Sequence, residues 1–392
     1  MVVAEYDVVT KDTGVAAQLR MPAEWAAHDA VWLQWPAERM RGYPGYAVKL
    51  ESIWLEMTRV MHTEVRVRIA VSNEAEVDRL SGQLRHFGIE RDRIDLYVIP
   101  TDDVWARDNG PIFVFDADGH VVVTCWNFNG WGGRFAWNDD RAVPAAIADL
   151  LGLTLVHAPI TAEGGAIEVD GEGTLIATRS SILNPNRNPH CDRQDVERAF
   201  RDTLGIRHVV WLTGAPPQVC EALGDVTDYH VDIAARFTPA GTVLYCDPSD
   251  PGDPRYAILA QHRADLQGAV DARGRAFDLV PLPTPRIYSV AAGGLNFAGA
   301  RGPWRHNGCS GRFTDAAYTN YLVTNNLVLV SVYGCLVDER AKSIIAEHFP
   351  GRRVVGIPTL SLTEEGGAIH CVTQQQPKRP DGASPHPAGP RP

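Results

Sequence analysis

The chain has 392 residues, 45% of them hydrophobic and 22% charged, the make-up of an ordinary globular protein long enough for one large domain or two to three smaller ones. Its formal charge of -11 at pH 7 argues against general affinity for nucleic acid and favours a cationic ligand, because the summed field concentrates positive solutes. Seven cysteines, odd in number, scattered and without a C-x-x-C pair, support neither a disulfide framework nor a structural zinc site.

The opening stretch "MVVAEYDVVTKDTG" has no basic segment followed by an apolar one. No apolar run approaches the roughly 18 residues of a membrane helix, so a cytoplasmic protein is expected. In chain order, "AVWLQWP" reads as a strand, "AVKLESIWLEMTRVMH" as an amphipathic helix and "VRVRIAV" as a second strand, extended by "NEAEVDRLSGQLRHFGI" and "IDLYVIP". Four β-hairpins follow, "IFVFDADGHVVVTCW", "AIEVDGEGTLIAT", "DIAARFTPAGTVLYC" and "YLVTNNLVLVSVYG", with turns centred near residues 118, 172, 240 and 325. Each precedes a helical pattern and another strand: "DDRAVPAAIADLLG" then "LTLVHAP", "CDRQDVERAFRDTLG" then "HVVWL", "PRYAILAQHRADLQGAVDARG" then "FDLVPLP", "VDERAKSIIAEHF" then "RVVGIP".

Five similar α/β units, irregularly spaced, suit a ring with variable loops, with two stacked α/β domains as the competing arrangement. Residues 1–376 then form a single catalytic domain. The tail 377–392, "PKRPDGASPHPAGPRP", has a composition that favours disorder.

The segments that follow each unit's last strand hold the chemistry. They are "TDDVWARDNGP" with Asp108, "ITAEGGAIE" with Glu163, "EALGDVTDYHVD" with His230 and Asp232, and "TLSLTEEGGAIHC" with Cys371. A ring brings these equivalent places to one end of its axis. The pentapeptide Glu-Gly-Gly-Ala-Ile occurs both at 163–167 and at 365–369, but only the second copy runs into His370 and Cys371. On a strand, His230 and Asp232 at i and i+2 face the same side.

A cysteine with a reference pKa near 8.5 needs a nearby cation to become a thiolate, yet this set is rich in carboxylates. A guanidinium substrate resolves the conflict, because it brings its own charge and a planar fork of donors that two carboxylates can grip. Asp108 and Asp232 are the candidates for that grip. Cys371 then attacks the guanidino carbon, and His230 protonates the departing nitrogen and later activates water, with Glu163 orienting His230 or binding a substrate nitrogen. No cofactor or metal is expected. Trp131 suits a cation–π contact, and Trp105 and Gly367, beside Asp108 and Cys371 in the chain, complete the candidate substrate-binding positions. In the blander reading Asp108 is a turn residue paired with Arg107, and Cys125, Cys191, Cys220, Cys246, Cys309 and Cys335 are inert thiols.

The segments "MPAEW", "VWLQWP", "WARDNGP", "FNGWGGRF", "EGGAIEVDGEGTLIAT", "LNPNRNP", "TDYHVD" and "GGAIHCVTQQQP" strongly resemble the agmatine deiminase family, which also contains bacterial peptidyl-arginine deiminases and belongs to the guanidine-modifying superfamily. The resemblance runs from about residue 21 to 377. It implies a five-bladed α/β propeller of the pentein type, no cofactor, and catalytic roles for Asp108, Glu163, His230, Asp232 and Cys371. Two departures bear on substrate choice. Tyr229 stands where the family has a glycine before the histidine, which puts a bulky ring beside the active residues. The loop "AERMRGYPGY" lacks the family's Asn-Trp-Arg and Gly-Gly-Lys-Pro-Ala-Gln pattern near the substrate's distal amine.

The expected activity is hydrolytic deimination of a small guanidine, agmatine to N-carbamoylputrescine first, with peptidyl arginine, arginine or another alkylguanidine as alternatives. Amidino transfer and a silent guanidine-binding protein are the other classes. The expected partner is the small-molecule substrate, with no nucleic acid or membrane, and a homodimer is kept open.

Overall fold

The computed structural model describes residues 18–36, 46–247, 251–253, 255–285 and 316–380. The loop at 37–45, Cys309 and the tail from 381 lie outside the described residues, and so do the expectations made for them. The chain is mixed α/β. Four units share one construction, in which an antiparallel hairpin leads into a helix and the helix returns a third strand parallel to the second.

The first unit has β4 (Ile112–Phe115), β5 (Val121–Cys125), the helix Val143–Leu151 and β6 (Thr154–His157). The second has β7 (Ile167–Val169), β8 (Thr174–Thr178), the helix Arg193–Leu204 and β9 (His208–Leu212). The third has β10 (Ala235–Phe237), β11 (Thr242–Cys246), the helix Tyr256–Gln267 and β12 (Asp278–Leu282). The fourth has β13 (Leu322–Val323), β14 (Leu327–Val332), the helix Asp338–His348 and β15 (Arg353–Pro358).

The remaining sheet joins the two ends of the described chain. β1 (His28–Gln34) pairs antiparallel with β16 (Thr373–Pro377) and parallel with β2 (Arg66–Val71), and β3 (Ile94–Val98) extends the sheet. The N-terminal unit, which has no hairpin of its own, is therefore completed by a strand drawn from more than three hundred residues away. Pro377, expected at the start of the tail, pairs with His28 instead.

Burial explains why the strand runs read as they do. Every residue of the middle strands β5, β8 and β11 is buried, so "VVVTC", "TLIAT" and "TVLYC" are continuous runs rather than alternating ones. The third strands are partly exposed. The helix Arg193–Leu204 starts at a capping box formed by Asp192 and Asp195 and stops at Gly205 in the left-handed region. Between those signals its apolar face sends Val196, Ala199, Phe200 and Leu204 onto Leu175 and Ala177. Among the described residues no helix is long and apolar enough to cross a membrane.

The first strands of neighbouring units touch, β16 against β4 and β7 against β10. Ahead of them the short helical turns Ala106–Asn109, Gly164–Ala166 and Val231–Ile233 lie against one another. The repeat thus gathers the residues that enter each hairpin.

Candidate active site

Four of the five expected chemical residues belong to these turns, and the fifth, Cys371, lies just before β16 with its carbonyl accepting from the Arg107 amide at 3.1 Å. Asp108 lies in the turn Ala106–Asn109, Glu163 caps Gly164–Ala166, and His230 caps the turn that carries Asp232. The strand expected for His230 and Asp232 is absent: Val231–Ile233 is a 3-10 turn, and it is this turn that brings both side chains to the site. A pattern spanning two positions cannot separate the two geometries.

His230 stands between two carboxylates, with Nδ1 3.7 Å from Asp108 Oδ1 and Nε2 3.6 Å from Glu163 Oε2. Cys371 Sγ lies 3.8 Å from Asp232 Oδ2 and 3.2 Å from Asn320 Nδ2. Asp108 accepts hydrogen bonds from the Trp131 indole at 3.0 Å and the Gly165 amide at 3.1 Å. Its expected partner Arg107 turns elsewhere, donating from Nε to the His370 carbonyl and approaching Glu24.

The paired glycines are required by close approach. A Cβ at Gly165 would stand 2.7 Å from His230 Nδ1 and 2.8 Å from Asp108 Oδ1, and one at Gly164 would stand 2.2 Å from the Arg107 carbonyl. Gly367 plays the same part beside the thiol, where a Cβ would fall 2.3 Å from the Trp105 ring. Gly165→Ala is therefore expected to push His230 and Asp108 out of place and lower kcat/KM by roughly 100-fold, the usual cost of an ångström-scale misplacement. Steady-state kinetics beside a thermal melt check this, with activity falling far more than stability.

Charge is arranged around the thiol. Burial raises Asp108, and the His230 charge offsets only part of that, leaving it at about 6. Burial would lower His230, but Asp108 and Glu163 outweigh it and raise the imidazole to about 9. Glu163 is pushed up by burial and pulled down further by Arg187, to about 2. Asp232 likewise stays below the ordinary carboxylate range, because His370, His230 and Arg236 overcome its burial. Burial, followed by Asp232 and Asp108, pushes the Cys371 thiol well above its ordinary value. These directions favour an imidazolium beside a neutral thiol when no cation is bound.

Cys371 faces a pocket walled by Trp105, Trp131 and Phe135, with Asp103 and Glu365 also lining it. Glu163 Oε2 and His230 Nε2 face each other as an ion pair, whereas the buried Asp232 Oδ1, on the carboxylate beside the thiol, has no hydrogen-bond partner among the described residues. Such an atom is costly to bury unpaired and suits a ligand that donates.

Tyr229 does not crowd the pocket. Its ring is buried in the cluster with Val210, Cys220 and Leu259, with its centroid 5.3 Å from that of the His262 ring. The backbone carries the cost, at φ 71° for Tyr229 and φ 58° for Asp228, a region where glycine is the ordinary occupant. Of the cysteines expected to be inert, Cys125, Cys220 and Cys246 are buried, while Cys191 and Cys335 are half-buried.

Sequence reading missed several contributors. Arg187 bridges Glu163, at 2.8 Å, and Asp228; the motif "LNPNRNP" drew attention to it without giving it a task. Asn320 donates 3.0 Å to Asp232 as well as to the thiol, and nothing in "YTNYLV" marks it. His370 stood next to Cys371 in plain view but was left unassigned.

Known proteins resemble this chain over nearly its whole length. The model of the Porphyromonas-type peptidyl-arginine deiminases matches residues 20–377. An agmatine deiminase of Pseudomonas putida is 34% identical over 374 residues, covering 91% of this chain and 95% of its own. One from Ectopseudomonas mendocina is 33% identical over 370 residues, covering 93% and 96%. The solved agmatine deiminase of Enterococcus faecalis superposes with a TM-score of 0.82 at 27% identity, covering 92% of this chain and 96% of its own. The chain belongs to the agmatine deiminase and bacterial peptidyl-arginine deiminase family. Within it, this is an agmatine deiminase-like hydrolase acting on the carbon–nitrogen bond of a guanidino group.

Proposed function

We propose that the chain hydrolyses agmatine to N-carbamoylputrescine and ammonia through a thiouronium on Cys371. The observation that carries this reading is a reachable thiol that shares its pocket with Asp108 and stands beside Asp232, whose buried Oδ1 has no hydrogen-bond partner among the described residues. A planar guanidinium supplies donors to these two carboxylates, and its charge offsets the burial and the carboxylates that hold the thiol protonated.

Asp108 and Asp232 grip the guanidinium and set its carbon over the sulfur. With the guanidinium bound the thiol releases its proton to solvent, the resulting thiolate forms the C–S bond, His230 gives its proton to one nitrogen, and that nitrogen leaves as ammonia. The neutral imidazole then takes a proton from water, whose oxygen bonds to the same carbon. The C–S bond breaks and the oxygen's remaining proton passes to the released ammonia, which restores the thiolate and frees the ureido product. Glu163, fixed by Arg187, holds His230 in line. We read the five sheets as the blades of a five-bladed propeller, with the entry turns at its centre; the pairing of β16 with β1 supports closure.

Agmatine is preferred over arginine for a local reason as well. The described residues lining the pocket include Glu365 and no Arg or Lys, a setting that suits a second cationic end better than a carboxylate; Asp103 lines it too, but burial and Asp140 push its pKa well above the ordinary carboxylate value. Trp105 and Trp131 can flank the chain between. Release of ammonia and ureido product from agmatine, arginine, a blocked arginine peptide and other alkylguanidines tests this. Agmatine is expected to lead the panel in kcat/KM, with yield unchanged by added amines. Preference for arginine or the peptide, or transfer to the amine, would overturn it.

A further inference from the structure

His370 is as buried as the residues that carry the chemistry, and both its ring nitrogens face carboxylates. Nδ1 lies 2.8 Å from Asp232 Oδ2, and Nε2 lies 2.8 Å from Glu24 Oε2. A neutral imidazole has one N–H and one lone pair. At these distances the lone pair would confront an oxygen lone pair.

The carboxylates are engaged elsewhere as acceptors. Glu24 accepts from Arg236 NH2 at 2.7 Å and, through Oε1, from the Val323 amide at 2.8 Å. Asp232 Oδ2 accepts from Asn320 Nδ2 at 3.0 Å. Both oxygens facing the ring are thus set up as acceptors, and the ring has to donate twice.

We propose that His370 is a positioning residue, a doubly protonated bridge from Glu24 to Asp232 that clamps Asp232 Oδ2 and leaves Oδ1 facing the guanidinium. The inference rests on the proposed deimination for its catalytic consequence and on the hydrogen-bond geometry alone for its protonation. The other charged groups around the ring are Arg107, Arg236 and Glu168, tied to the same network: Arg107 donates to the His370 carbonyl at 3.2 Å, and Arg236 joins Glu24 to Glu168. The His370 backbone is fixed too, its amide donating to Asn320 Oδ1 at 3.0 Å. Asn320 therefore braces the ring's backbone and the carboxylate that the ring holds.

The task explains why histidine precedes the nucleophile only in the second copy of the pentapeptide. The first copy runs on from Ile167 into Glu168, a carboxylate in the same buried network, bonded to Arg236 Nε at 2.8 Å.

Two substitutions separate positioning from bulk packing. In His370→Asn the amide sits near the Nδ1 place and can still donate to Asp232. In His370→Gln the amide reaches toward Glu24 and leaves Asp232 unclamped. The expectation is a KM for agmatine raised about 10- to 100-fold in His370→Gln, the range for loss of a charge-assisted hydrogen bond, with His370→Asn clearly less affected. Equal KM values for both variants and the parent would overturn the proposal, as would an effect on melting temperature without one on KM.

Nitrogen NMR of ring-labelled protein provides a readout independent of turnover and of whether either variant folds. One imidazole other than His230, recognised because its signals survive in His230→Gln and shift in Asp232→Asn, is expected to show N–H couplings on both ring nitrogens. A single protonated nitrogen on that ring would contradict the bridge. Failure of agmatine turnover would remove the deiminase reading and leave the nitrogen spectrum to decide the bridge.

Discussion

Cys371→Ser is expected to reduce kcat for agmatine by about 10⁶-fold, the scale seen when a nucleophile acting as part of a unit is removed, while the protein folds and binds substrate within a few-fold of the parent. The hydroxyl is a far weaker acid than the thiol, and the carboxylates that already oppose ionisation of Cys371 oppose it more strongly in serine. In the proposed complex the guanidinium is held by Asp108 and Asp232, which the substitution leaves in place. Stopped assays for ammonia and calorimetric binding of agmatine to the variant measure the two halves. A serine variant with near-parental turnover would exclude covalent catalysis at this residue.

His230→Gln is expected to lower kcat/KM by roughly 10²- to 10⁴-fold, the contribution of a positioned general acid–base group. It should also change the shape of the pH profile. In the free enzyme Asp108 and Glu163 hold His230 protonated up to about 9. In the proposed mechanism the imidazolium is the acid for ammonia departure, so kcat/KM in the parent should fall as pH rises through that value. Glutamine has no proton to lose, and the alkaline limb should disappear from its profile. A variant that loses rate but keeps the same limb would assign the titration to another group.

The fold was legible wherever the local signal was also the global one. Hairpin turns such as Asp170–Gly173, where Gly171 and Gly173 have positive φ, and capped helices such as Arg193–Leu204 announce themselves through residues that only those geometries favour. The pairing of Thr373–Pro377 with β1 was not legible, because "TQQQP" carries no apolar alternation and its partner lies at the other end of the chain. At the site, Cys371, His230, Asp108, Asp232 and Glu163 could be nominated because the repeat puts them in equivalent places. The supporting shell escaped for reasons of tertiary contact. Asn320 and Arg187 acquire their roles from neighbours remote in sequence, and Glu24 reaches His370 across the whole molecule. The sequence puts the Tyr229 ring beside the active residues without fixing its direction; at positive φ the ring turns into the cluster around Val210 and Leu259.

The claim that joins these results is that the guanidino carbon passes through a bond to Cys371. Acid quench of the parent enzyme during steady turnover of agmatine labelled at that carbon, followed by peptide mass spectrometry, tests it most directly. The expected result is label on the peptide bearing Cys371, appearing with the first turnover of ammonia and chased by excess unlabelled substrate. Ammonia release with the thiol unlabelled throughout would contradict it and place the attack of water directly on the substrate.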